Sequence, residues 1–178
     1  NTTDEGEIRE AFALIADANR RGVFQGKVMD QVFQKMEGGN AAIATYYAGD
    51  YLSMLDNQAD GVDLRYVIPK EGANWFVDAM CVLRDAPHYE EAMAWINFIA
   101  STEANLANMD YIWYASPNAE ALEQYPAYYE ELYGEELDPE LYEIMAAPAE
   151  VLERCESYVV LPKETRKLYN DLWIQLGT

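Results

Sequence analysis

The sequence predicts an α/β fold with a largely parallel sheet, on three observations. Short β-prone runs at 23–28, 41–47 and 63–69 alternate with segments of helical periodicity. Gly22, Gly39, Gly49 and Pro69 bound those runs, as turn-forming residues bound strands. The helical stretches carry apolar residues three and four positions apart, so each has one face for a core. The pattern is incomplete: the chain opens on a helix with no strand before it, and only three or four strands can be named. These residues read as a piece of a larger fold.

In chain order, Thr2 and Glu5 form a capping-box pattern, and Ile8, Phe12 and Ile15 share the face of a helix over 2–19. After the basic turn 19–22, residues 23–28 read as a short strand. Gln31 to Glu37 reads as a short helix closed by Gly38 and Gly39. Ala41 to Tyr47 suits a buried strand, and Gly49 begins a turn into 50–55. Residues 63–69 alternate, with Val62, Leu64, Tyr66 and Ile68 on one side of a strand. A polar break at 69–72 precedes the run 74–83, apolar except for Asp78. Such an acid needs an explanation.

Pro87 and the acids after it start an amphipathic helix with Ala92, Met93, Ile96 and Ile99 inward. Ser101-Thr102-Glu103 starts the next, which ends at 111–114 before the turn 115–118. From Glu120 to Glu156 twelve acids and one base, Arg154, are interleaved with Tyr125, Tyr128, Tyr129, Tyr133 and Tyr142. That is the composition of a solvated helical face with buried tyrosine bodies. Leu168, Leu172, Trp173 and Gln175 mark a closing amphipathic helix.

The formal charge of −20, from 32 acids against 12 bases, argues against nucleic acid, whose phosphates demand Lys and Arg, and favours cationic partners. No apolar run approaches the ~20 residues of a membrane span, and residues 1–6 lack the regions of a signal peptide. Cys81 and Cys155 match no zinc spacing and no CxxC pair; they read either as a disulfide or as two separate buried thiols. No metal site and no cofactor is expected.

Several segments together resemble the periplasmic spermidine/putrescine-binding proteins of ABC importers. They are 1–4 with Glu7-Ile8, the run Ile43 to Asp50, Val67 to Gly72, Trp75-Phe76-Val77-Asp78, Ala92 to Ile99, and Tyr114 to Asn118. Their order and spacing over 1–118 carry the resemblance, and the acidic segment after Glu120 departs from it. The resemblance implies part of a two-lobed, type II periplasmic-binding-protein-like fold with mostly parallel sheets flanked by helices. Residues 1–76 would belong to the second lobe, 77–155 to a returning segment of the first, and 156–178 to a closing helical segment. The amino-terminal half would lie outside these residues, leaving strand edges for self-association.

The implied function is capture of a polyamine, spermidine or putrescine, for the membrane permease subunits of an ABC transporter. Its implied location is periplasmic or extracellular, membrane-associated in the parent. Rings line the methylene chain in such a cleft and carboxylates take the ammonium ends. On this sequence the resemblance places Asp78 as the carboxylate and Tyr47, Trp75, Phe76 and Tyr114 as the aromatics. Trp75 and Phe76 compete for one ring position, and Tyr158 is the nearest polar contact by the last helix. For each aromatic, core packing is the alternative role.

An enzyme has little support. His88, the one histidine, follows Pro87 at a helix start, and no phosphate loop, GxSxG or carboxylate pair stands out. A binding protein of the same fold for Fe(III), thiamine or another organic cation is the nearer rival, and an acidic interaction domain the third. Asp78 among aromatics favours an organic amine over a bare metal, which wants several oxygens or imidazoles.

Overall fold

The first helix starts later than the Thr2–Glu5 pattern suggests. In the computed structural model, which describes residues 2–177, α1 runs Glu5–Arg20 and Asp4 caps it, Oδ1 accepting from the Glu7 N–H at 2.9 Å. Thr2 Oγ1 accepts from the Asp4 N–H instead, at 3.0 Å. Asp prevails because an ionised acceptor adds attraction to the helix dipole to the hydrogen bond.

Helix α2 occupies Gln31–Glu37, as its spacing predicts. The turn expected at 49–55 is a helix, α3, Ala48–Leu55. Burial explains the change: Leu52 joins a cluster with Leu106, Met109, Ala121, Tyr125, Leu137 and Met145, while Met54 joins Val32 and Leu64. A helix can serve two apolar clusters from one short segment, and α3 does so.

Helices α4 (Tyr89–Ile99), α5 (Thr102–Ile112), α6 (Ala119–Tyr133), α7 (Pro139–Met145), α8 (Ala149–Leu152) and α9 (Lys163–Gln175) follow. Ser101 caps α5 and Asn118 caps α6, each accepting a backbone N–H with its side-chain oxygen. The acidic segment does present its acids outward and buries Tyr125 fully, while Tyr133 stays exposed. Its Pro126 sits inside α6 and leaves the Leu122 carbonyl without a helical donor. The Tyr142 hydroxyl of α7 supplies one, at 2.9 Å. Tyr142→Phe is therefore expected to lower stability by about 1 to 3 kcal/mol, the range for an orphaned acceptor; an unchanged urea midpoint would show the carbonyl satisfied elsewhere.

The strands are where expectation and structure differ. Among the described residues the only ladder joins β1 (Asn74–Trp75) to β2 (Glu156–Ser157), in parallel, with Asn74 opposite Glu156 and Trp75 opposite Ser157. Residues 23–28, 41–47 and 63–69 form no ladder. Alternation specifies a strand only when another strand satisfies its N–H and C=O groups, and these runs find none. Ile43 and Val67 stay out, at 89% and 74% exposure, while Leu64 is buried against Val32 and Met54 without any strand pairing. The accessible surface is 13327 Å², well above the roughly 8,800 Å² of a closed monomer of this mass. Cys81 and Cys155 are unpaired, and Cys81 is exposed where a buried thiol was one reading, because the run 74–83 around it is not covered.

Candidate ligand-binding site

The parallel pair decides which aromatics meet. Gly72 enters it with φ 95°, and its α-carbon faces the Arg154 carbonyl so closely that a Cβ there would lie 1.7 Å from that oxygen. The Glu156 N–H then donates to the Ala73 carbonyl at 2.9 Å. With Trp75 opposite Ser157, Phe76 and Tyr158 leave the ladder side by side, rings 6.3 Å apart. Tyr47, just before α3, meets Phe76 edge-on at 5.6 Å, and Tyr46 adjoins Tyr47 at 5.1 Å. Tyr46, Tyr47, Phe76 and Tyr158 thus form one aromatic row. Tyr47 and Phe76 keep 39% and 41% of their surface, enough for a ligand to reach them. Beyond Tyr158 the row opens on a concavity of about 300 Å³ lined by Gly72, Asn74, Arg154 and Glu156.

A carboxylate stands beside this row. Asp50, in the first turn of α3, is half-buried, and Tyr114 covers it from the loop after α5. The Tyr114 hydroxyl faces the Asp50 carboxylate and favours its ionised form. Burial and the Asp50 charge push the Tyr114 phenol far up, so it stays protonated and able to donate. Burial likewise raises the Asp50 carboxyl; the Tyr114 hydrogen bond opposes this, and the Asp30 charge adds to it. The contact requires Gly49, where a Cβ would sit 2.4 Å from the Tyr114 ring.

The Tyr114 loop is fastened by a buried amide. Asn105 donates to the Ile99 and Ser101 carbonyls, both at 2.8 Å, and accepts from the Ser116 hydroxyl at 2.6 Å. Ser116 in turn accepts from the Asn118 N–H at 2.9 Å.

Of the residues singled out from sequence, the structure joins Tyr47 and Phe76 directly and sets Tyr114 on Asp50. Trp75 is half-exposed and belongs to none of the ring contacts of the row, since neighbours on a strand face opposite ways. Asp78 lies two residues beyond Phe76, exposed, in the irregular segment before α4. Asp50 and Tyr46 were not singled out. The signal was present in the Tyr46-Tyr47-Ala48-Gly49-Asp50 order, where a glycine separates aromatics from an acid. His88 is exposed at the start of α4, with Nδ1 3.9 Å from Glu91. No group of His, Cys, Asp or Glu among the described residues is placed to hold a metal ion.

The family profile described as bacterial extracellular solute-binding protein matches residues 1–131. A putrescine-binding periplasmic protein of Pseudomonas aeruginosa is 28% identical over 144 residues, 79% of this chain and 36% of its own length. A norspermidine sensor of Vibrio cholerae is 28% identical over 114 residues, 64% of this chain and 32% of its own. A putrescine-binding periplasmic protein of Escherichia coli is 30% identical over 95 residues, 51% of this chain and 25% of its own. The chain thus spans about a quarter to a third of the length of these relatives. No solved structure matches it.

Proposed function

The chain belongs to the bacterial extracellular solute-binding protein family, and from that premise we propose that it supplies part of the cleft of a polyamine receptor. The receptor captures putrescine or spermidine in the periplasm or outside the cell and delivers it to the permease subunits of an ABC importer at the membrane. It binds and does not catalyse. The observation that carries this reading is the row Tyr47–Phe76–Tyr158 with Asp50 beside it. Ring faces attract an ammonium and pack on methylenes, while a half-buried carboxylate gives the ammonium a charged partner in a water-poor place. Asp78, exposed two residues after Phe76, is the proposed second carboxylate, and Trp75 a further proposed ring. Relatives named for putrescine support the ligand class.

In the assembled receptor, 1–76 belong to the second lobe, 77–155 to a segment returning to the first, and 156–178 to a closing segment. The runs at 23–28, 41–47, 63–69 and 74–83 become strands of mostly parallel sheets once neighbours satisfy them. Their exposed apolar side chains support this, and so does Val160 at 99% exposure. Without such neighbours the same edges drive self-association, which light scattering reads.

Calorimetry with amines tests the reading. Putrescine or spermidine should give saturable heat and neutral sugars none; the reverse would sink it. Asp50→Asn and Asp78→Asn should each weaken binding by about 1.5 to 3 kcal/mol, the range for a hydrogen bond to a charged group. Burial lifts the Asp50 carboxyl above its ordinary 3.8 in the folded chain. The folded state therefore holds this proton more tightly than the unfolded one, and stability falls as pH climbs from that ordinary value through the raised one. At neutral pH Asp50→Asn is expected to hold or gain stability while losing affinity. A melting temperature that collapses in Asp50→Asn would make the residue structural.

A further inference from the structure

A second group of rings gathers around Asp110, near the end of α5. Tyr125, Tyr129 and Tyr133 follow one another along α6 at four-residue spacing, which stacks them on one face. The rings of Tyr129 and Tyr133 lie 4.6 Å apart, and Trp113, at the C-cap of α5, approaches Tyr129 at 6.3 Å. Both oxygens of the Asp110 carboxylate are 3.1 Å from the Tyr133 hydroxyl, which fixes it beside the rings. The ion pairs among the described residues involve other acids, so Asp110 has no cation. Glu135 and Asp56 also act on Tyr129, and the surroundings are short of base.

Two further features set this group apart from plain core packing. Trp113 holds φ 57°, a left-handed conformation that a bulky side chain adopts only under constraint. Tyr125 is completely buried, yet its hydroxyl has no hydrogen-bond partner, and Asp110 is the strongest charge acting on it. Tyr133, at the rim, is 53% exposed and leaves the group open.

We propose that Trp113, Tyr129, Tyr133 and Asp110 form a second cation site, separate from the aromatic row, that takes an alkylammonium group. The rings offer their negative faces and Asp110 the counter-charge. The ammonium belongs either to a free polyamine or to a lysine side chain of a basic polypeptide.

The test follows aromatic ring resonances by NMR while the full chain is titrated with methylammonium, spermidine and a lysine-rich peptide. Saturable shifts at Trp113, Tyr129 and Tyr133 are expected, and they persist in Asp50→Asn, which weakens the first site. In Asp110→Asn at least about tenfold more ligand is needed for the same shift, as loss of a charged hydrogen-bond partner implies. Tyr133→Phe keeps every ring and releases Asp110, so it carries the comparison if Asp110→Asn fails to fold, and it too should weaken binding. Saturation by spermidine assigns the free amine; saturation by the peptide alone assigns a polypeptide. No shift with any of the three ligands, or shifts that vanish in Asp50→Asn, overturns the proposal.

Discussion

Gly72→Ala is expected to unfold the seam that holds the aromatic row. At this position φ is 95°, a conformation that side chains rarely adopt, and an added Cβ would meet the Arg154 carbonyl oxygen at 1.7 Å. The obstruction is backbone against backbone, so no side chain can yield to relieve it. Backbone strain of about 1 to 3 kcal/mol adds to about 1 to 3 kcal/mol of overpacking. Against a total stability of about 5 to 15 kcal/mol that is a large loss. The β1–β2 pair is the only ladder among the described residues, and its register alone sets Phe76 beside Tyr158. Circular dichroism should record a melting temperature lowered by many degrees, and amine binding should fall with it. A variant that melts like the wild type would mean that Gly72 and Arg154 are not in contact.

Gly49→Ala should lower affinity and stability together. Gly49 lies within α3, where alanine ordinarily stabilises a helix by about 0.5 to 1 kcal/mol. Here the methyl would press on the Tyr114 ring at 2.4 Å and on the Trp113 carbonyl at 2.7 Å. The Tyr114 ring can swing away from Asp50, but the Trp113 carbonyl is backbone and cannot, so the methyl also costs about 1 to 3 kcal/mol of overpacking. Asp50 then loses the hydroxyl that favours its ionised form and part of the cover that buries it. Binding of an ammonium needs the ionised form, so affinity should drop at least about tenfold. Amine affinity measured across pH in both proteins decides this; a parallel profile at equal affinity would remove Tyr114 from the control of Asp50.

The sequence by itself determined the helices that carry their own instructions. Gln31–Glu37 with its closing glycines, the helix start at Ser101, and the acidic tyrosine-bearing stretch are local signals, satisfied within a few residues. It also determined the family, through short segments whose order survives at low identity. The strands were expected from a compact β-prone run at 41–47 and from alternation at 63–69, but a strand exists only when another strand accepts its hydrogen bonds, and these described residues offer none there. Helix α3 was misread as a turn because its residues are buried by two clusters distant in sequence, which no local window contains. The site divides the same way. Tyr47 and Phe76 were visible as aromatics, and which of Trp75 and Phe76 joins Tyr47 was not, because strand pairing with Glu156 and Ser157 sets the facing. Asp50 became a candidate only in three dimensions, since its half-burial and its contact with Tyr114 arise from a chain separation that sequence spacing does not encode.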